Sequence, residues 1–122
     1  MSRLRRLVKA DWVFQDINIG DVTEQAMDSA RWVAQNLGFN ESDVSKYQHG
    51  SQIGIEIGDN QKYGFSVNIT FYPPNEVSLI SVPVMGKDGQ LQALESRDQS
   101  MFESFLNKDS VFLDWLDQME DI

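Results

Sequence analysis

Apolar and polar side chains alternate along residues 51–85, and this alternation is the strongest structural signal in the sequence. Successive residues of a β-strand point to opposite faces of a sheet, so the pattern predicts strands with one apolar face. Turn-forming residues at 58–60 and 73–75 divide the stretch into three runs. We therefore predict a three-stranded antiparallel meander, whose apolar face is formed by Ile53, Ile55, Ile57, Tyr63, Phe65, Val67, Ile69, Phe71, Val77 and Leu79.

The third strand of the meander changes phase. Leu79 and Ile80 are adjacent, and Val82 and Val84 then continue the apolar alternation on even numbers. One extra residue in a strand produces such a shift, so the sequence predicts a β-bulge there.

The opposite face of the meander carries small, neutral polar residues and few of the lysines that protect a sheet. One interpretation is an ordinary solvated face, as many antiparallel sheets have. The other is a docking site for a peptide or subunit, which would pair with the sheet by β-augmentation. Under the second interpretation, Asn68, Thr70 and Tyr72 contact the partner.

Residues 21–38 predict the longest helix. Asp21 and Glu24 have the spacing of a capping box, and Gly38 is suited to a left-handed cap at the C-terminus, with Phe39 folding back on the last turn. An apolar stripe at helical spacing is expected to pack on the sheet; its members are Val22, Ala26, Met27, Ala30, Val33 and Leu37.

Trp32 lies off this stripe. It is either a flank of the core or an exposed aromatic side chain of the kind that anchors a protein interface. We therefore include Trp32 among the candidate partner-binding residues.

Two segments have weaker patterns. Residues 40–50 are polar and predict a short helix with Asn40 as its cap. The run that begins at Trp12 is β-prone, which allows a fourth strand before the long helix.

Residues 97–121 predict two short helices, the first preceded by a capping-box pattern at residues 96–99. The second helix has an apolar side and an acidic side, and acids near a helix C-terminus oppose the helix dipole. Either this helix packs on the core with a solvated end, or it docks in a basic, apolar groove of a partner. The acids concerned are Asp114, Asp117, Glu120 and Asp121.

Together these elements predict an α+β fold: one long N-terminal helix on a three- or four-stranded antiparallel meander, closed by two short C-terminal helices. We expect residues 1–122 to form a single domain that begins with a basic arm at residues 1–10. The element order and the Leu37-Gly38 helix ending resemble those of bacterial secretion chaperones, in which a first helix also leads into a three-stranded meander.

The net charge of −9 is unevenly distributed, since the first nine residues contain four of the ten basic side chains. Such an acidic body repels nucleic acid and anionic lipid, and it attracts a basic protein surface. The sequence contains no cysteine and no apolar run of the length that spans a bilayer. We therefore expect a cytoplasmic protein that binds neither nucleic acid nor membrane, and a homodimer is compatible with these features.

No stretch of the sequence identifies a catalytic chemistry. There is no glycine-rich phosphate loop, and the single histidine, His49, has no neighbouring cluster of metal-ligand residues. We expect no catalytic residue, no metal and no cofactor.

Three functional hypotheses remain open. The first is a non-enzymatic acidic module that engages a basic partner, as a chaperone, immunity protein or inhibitor does. The second is a structural subunit or assembly factor of a larger complex, with a mainly apolar interface. The third is a small ligand-binding domain or enzyme with a pocket between helix and sheet.

Overall fold

The computed structural model describes residues 19–73, 76–86 and 88–118. The basic segment 1–10 and the β-prone run from Trp12 to Asn18 lie outside these residues. The helices are α1 (Ile19–Leu37), α2 (Asn60–Tyr63), α3 (Gln99–Leu106) and α4 (Ser110–Leu116), with a 3₁₀ helix at Glu41–Asp43. The strands are β1 (Val44–His49), β2 (Gln52–Asp59), β3 (Phe65–Tyr72), β4 (Glu76–Met85) and β5 (Leu91–Ser96).

The five strands form one antiparallel sheet in the order in which they occur along the chain. The α+β fold class and the central meander are therefore confirmed. The predicted number of strands was too low, because the meander gains one strand on each side.

The additional strand β1 corrects the helix predicted at residues 40–50. Only Glu41–Asp43 forms a helical turn, and the chain then pairs with β2 from Val44 to His49. Five of the six β1 residues are exposed, so the strand lacks an apolar alternation. The strand forms because its backbone pairs with that of β2, which follows it in the sequence.

Strand β5 was not predicted because it also lacks an apolar alternation. In β5 only Leu94 and Ser96 are half-buried, and the other four residues are exposed. The chain turns between β4 and β5, where the Gly86 amide donates to the Gln90 carbonyl at 2.8 Å.

The predicted bulge is present in β4. Thr70 pairs with Leu79 whereas Phe71 pairs with Val77, so Ser78 is the extra residue. The bulge corrects the predicted orientation of Leu79, which now shares a face with Thr70 instead of the apolar face. Tyr63 was also misplaced, because it ends α2 and the strand begins at Phe65.

Helix α1 ends as predicted, although it begins two residues earlier, at Ile19. Gly38 has a φ of +81°, and the Phe39 amide donates to the Ala34 carbonyl at 2.9 Å. Phe39 is buried and its ring stacks on Tyr63 with a centroid distance of 4.2 Å.

Helices α1 and α3 pack on the apolar face of the sheet, and α4 packs on α3. Helix α3 is capped by Asp98, which accepts from the Ser100 amide at 3.0 Å, and not by Ser96 as predicted. Helices α1, α3 and α4 form a helix layer that shares one core with the sheet. The largest fully buried side chains of this core are Phe71, Phe102, Phe105, Phe112, Ile55, Ile57, Ile69 and Ile80.

Candidate partner-binding surface

The sheet has a second face, which points away from the core and from α1, α3 and α4. Strand alternation and the strand register identify the residues on this face. We call this surface the outer face; it includes Ser45, Tyr47, His49, Gln52, Gly54, Glu56, Ser66, Asn68, Thr70, Tyr72, Glu76, Leu79, Ser81, Pro83, Met85, Leu91, Ala93 and Glu95.

One row of polar residues crosses the outer face from edge to edge. Each residue in this row is the direct partner of the next, and such partners lie about 5 Å apart at Cβ. The row consists of Ser45, Glu56, Asn68, Ser81 and Glu95. It contains two carboxylates and no basic residue.

Large apolar and aromatic side chains lie on both sides of this row. Leu91 is 64% exposed and Met85 is 56% exposed, and the two residues pair directly across β4 and β5. On the other side of the row, Tyr47 is 53% exposed and Tyr72 is 38% exposed. Exposed aromatic and methionine side chains beside polar groups are typical of protein interfaces.

The acids of the outer face have no basic partners among the residues that the structure describes. The described residues form two ion pairs, Lys62–Asp43 at 3.4 Å and Lys108–Asp28 at 2.5 Å. Neither ion pair involves Glu56, Glu76 or Glu95. The carboxylates of the outer face are therefore free to accept hydrogen bonds from a cationic partner.

A polar cleft of about 370 Å³ opens at the end of the outer face near the 3₁₀ helix. Asp43, Glu56 and Asp59 bring three carboxylates to this cleft. The Tyr63 hydroxyl donates to Asp43 at 2.5 Å, and this bond holds the pKa of the Asp43 carboxyl below its ordinary value of 3.8, with Lys62 acting in the same direction. Asp43 is therefore ionised at neutral pH and forms its ion pair with Lys62, so Glu56 and Asp59 are the carboxylates of the cleft without a basic partner in the described residues.

The predicted partner-binding residues fall into separate groups. Asn68, Thr70 and Tyr72 lie together on β3 in the outer face; Asn68 donates to the Ser66 hydroxyl at 3.0 Å, and Tyr72 is the most exposed of the three. Asp114 and Asp117 are exposed on α4 and its C-cap, in the helix layer on the other side of the sheet. A single flat surface cannot contact both groups.

Trp32 belongs to neither group. It is half-buried in α1 and packs against the core. Glu120 and Asp121 lie outside the described residues. A partner-binding role for these residues stays a prediction.

No protein-family model matches the chain, and no curated protein or solved structure shows significant similarity to it.

The described residues do not form a metal site or a membrane-spanning helix. Within residues 19–73, 76–86 and 88–118, no three histidine, aspartate or glutamate side chains are gathered as a metal site requires. His49 is exposed at the end of β1. None of the helices in these ranges has the length and hydropathy needed to cross a bilayer.

The residues at the two edges of the outer face were not predicted from the sequence. Tyr47, Met85, Leu91 and Glu95 all lie on or next to edge strands that were not predicted. The available signal was an apolar residue within a polar stretch, such as Leu91 after Gly89-Gln90. Isolated apolar residues are common on protein surfaces, so Leu91 alone does not indicate an interface. It does so only once the strand register places it beside Met85.

Proposed function

We propose that this protein is a non-enzymatic acidic binding module, of the chaperone, immunity-protein or inhibitor type, that engages a basic surface of a partner protein. One observation carries the proposal: the outer face combines exposed Tyr47, Tyr72, Met85 and Leu91 with carboxylates that have no basic partner among the described residues. Apolar side chains at an interface contribute affinity, and unpaired carboxylates select a cationic partner and accelerate its association.

The net charge of −9 supports the same proposal. Association with a basic protein is then steered over a distance comparable to the Debye length, about 8 Å at physiological ionic strength. High salt should slow association much more than dissociation. An association rate that is independent of salt would contradict the electrostatic part of the proposal.

The test compares two charge variants of the full-length protein in affinity capture from its native host. Glu56→Gln with Glu95→Gln removes two negative charges from the outer face. Asp114→Asn with Asp117→Asn removes two charges from the helix layer, so the variants are matched in net charge. Captured proteins are identified by mass spectrometry at low and at high salt.

The expected result is one stoichiometric basic protein that is lost at high salt. The Glu56/Glu95 variant loses it, and the Asp114/Asp117 variant retains it. Loss of the partner only with the Asp114/Asp117 variant would assign binding to α4 and show that the outer face is not the interface. Capture of no partner at either salt would contradict the proposal as a whole.

A second function is supported by the exposed Met85–Leu91 pair alone. A structural subunit or assembly factor would use this apolar pair in a permanent interface, which is more apolar than a transient one. The same capture distinguishes the two functions, because a permanent complex is retained at high salt and by both charge variants. Met85→Ser with Leu91→Ser would then release it.

A further inference from the structure

Strand β5 is an edge strand with a regular backbone. Among the residues that the structure describes, it pairs on one side only, with β4. The ladder runs from Ile80↔Ser96 to Met85↔Leu91 through six consecutive residue pairs without a bulge. The other side of β5 therefore presents a straight row of backbone groups that can pair with another strand.

The sequence of β5 contains few of the features that usually protect an edge. It has no lysine, no arginine and no proline, and its only charged residue is Glu95. The opposite edge strand, β1, carries Lys46 at its middle and lies against α1. The two edges of the sheet are therefore unequal, and β5 is the less protected one.

The β5 side chains on the outer face determine which side chains a strand paired with β5 would need. Leu91, Ala93 and Glu95 point to the outer face, in that order along the strand. A strand paired with β5 places every second side chain beside one of these three residues. Apolar side chains therefore suit the positions beside Leu91 and Ala93, and a basic side chain suits the position beside Glu95.

The neighbouring strand reinforces this pattern. Leu91 lies beside Met85, and Ala93 lies beside Pro83, so the apolar surface is two strands wide. Glu95 lies beside Ser81, which is neutral. The one Arg close in sequence, Arg97, donates to the Ser78 carbonyl at 3.0 Å, and no ion pair of Glu95 occurs in the described residues.

We infer that the free edge of β5 binds an extended segment of the partner as a sixth, antiparallel strand. The segment has the pattern basic–any–apolar–any–apolar from its N-terminus, with the basic residue beside Glu95. This inference rests on the proposed function, because the preference for a basic residue follows from the acidic surface, and it names the binding mode and the sequence pattern of the partner.

The experiment titrates a defined peptide into the ¹⁵N-labelled full-length protein and follows the backbone amide signals by NMR. The probe is acetyl-Thr-Arg-Thr-Val-Thr-Val-Thr-amide. A second peptide with glutamate in place of arginine tests the charge preference. Two further peptides each carry a single N-methyl group, and the two methylated residues are adjacent in the sequence. Only alternate amides of an added strand donate to the edge, so just one of the two methyl groups removes a hydrogen bond.

The expected shifts are confined to residues 91–96 and their partners in β4. One N-methyl peptide loses binding and its neighbour retains it, and the glutamate peptide binds about fivefold more weakly, as reversal of one exposed ion pair produces. Leu91→Lys abolishes binding at the edge, whereas the control Val111→Lys, at an exposed apolar position of α4, has no effect. Equal binding of the two N-methyl peptides, or no shift at millimolar peptide, would overturn the inference.

The outcomes also separate this inference from the proposed function. Charge-selective shifts elsewhere on the outer face would overturn strand addition at β5 and leave the acidic binding module intact. Equal binding of the arginine and glutamate peptides would contradict the proposed function itself. Shifts at β5 that appear when the protein is concentrated without peptide would assign the edge to a second copy of this chain. Shifts at β5 that appear when residues 1–10 are deleted would assign it to the chain's own basic segment. Either result would overturn the inference.

Discussion

The ring of Tyr47 lies over Gly54, its direct partner across the β1–β2 ladder, and occupies the space that a Cβ atom at position 54 would need. The edge strand is thereby fixed to the sheet on the outer face as well as by its backbone. Glycine within a strand lacks a side chain to pack, and a cross-strand aromatic ring compensates for this.

The first prediction concerns Gly54→Ala. The new methyl group displaces the far end of the Tyr47 side chain, and the backbone at position 54 does not have a positive φ, so alanine itself is tolerated. We expect the free energy of unfolding to change by no more than about 1 kcal/mol, since alanine also reduces the entropy of the unfolded chain. The measurement is urea denaturation combined with NMR, in which contacts between the Tyr47 ring and residue 54 disappear; persistence of those contacts would contradict the prediction.

The second prediction is the matched substitution Gly58→Ala in the same strand. Gly58 has a φ of +92°, and a Cβ atom there would lie 2.6 Å from the ring of buried Phe39. Both the backbone strain and the overpacking destabilise the variant, by about 2–4 kcal/mol together. Urea denaturation of the two alanine variants side by side tests this difference, and equal losses at positions 54 and 58 would contradict it.

The interior of the fold was predictable because its strands carry a one-sided apolar pattern. Ile53, Ile55 and Ile57 in β2 alternate regularly, and they are buried as expected. Helix α1 was predictable from its stripe and from Gly38, whose positive φ ends the helix. In these segments the local sequence and the tertiary packing specify the same conformation.

The edges of the sheet were not predictable from local pattern. In Val44–His49 the core side carries Val44, Lys46 and Gln48, of which only Val44 is apolar and half-buried, so neither helical nor strand periodicity is visible. Its conformation comes from hydrogen bonds to β2, which are non-local. The outer face depends on both edges and on the register shift at Ser78, so residues of its central strands, among them Glu56, Asn68 and Thr70, could be placed from sequence and those of the edge strands could not.

The third prediction concerns the hydrogen bond from Tyr63 to Asp43, which joins α2 to the 3₁₀ helix. The pKa of Asp43 is lowered in the folded protein, so its contribution to stability is present above the unfolded value near 3.8 and is lost as the pH falls through the lower folded value. Tyr63→Phe removes the bond and raises the pKa of Asp43 toward 3.8.

We therefore expect Tyr63→Phe to be less stable than the wild type at pH 6, with a difference that shrinks as the pH falls below 3.8. The measurements are urea midpoints at several pH values and an NMR titration of the Asp43 carboxyl carbon. Tyr72→Phe is the control, since the Tyr72 hydroxyl lies on the exposed outer face. A stability difference that is constant from pH 6 to pH 3 would show that the carboxylate is not the cause.

The fourth prediction concerns the junction between α1 and the end of α3. The Leu106 carbonyl lies in the last turn of α3, where carbonyls lack helical partners, and it accepts from Ser29 Oγ at 3.0 Å and from Gln25 Nε2 at 3.2 Å. Ser29 is fully buried, so its hydroxyl must be satisfied within the protein. Two donors from successive turns of α1 thus share one acceptor.

Removal of either donor leaves the other in place, so the losses are not additive. We expect Ser29→Ala to cost about 1 kcal/mol and Gln25→Ala less, because Gln25 is exposed and its lost bond is replaced by water. The double variant should lose more than the sum, since the Leu106 carbonyl is then buried without a donor. A double-mutant cycle by urea denaturation gives the coupling energy. Strict additivity would mean that the two side chains do not stabilise the same carbonyl.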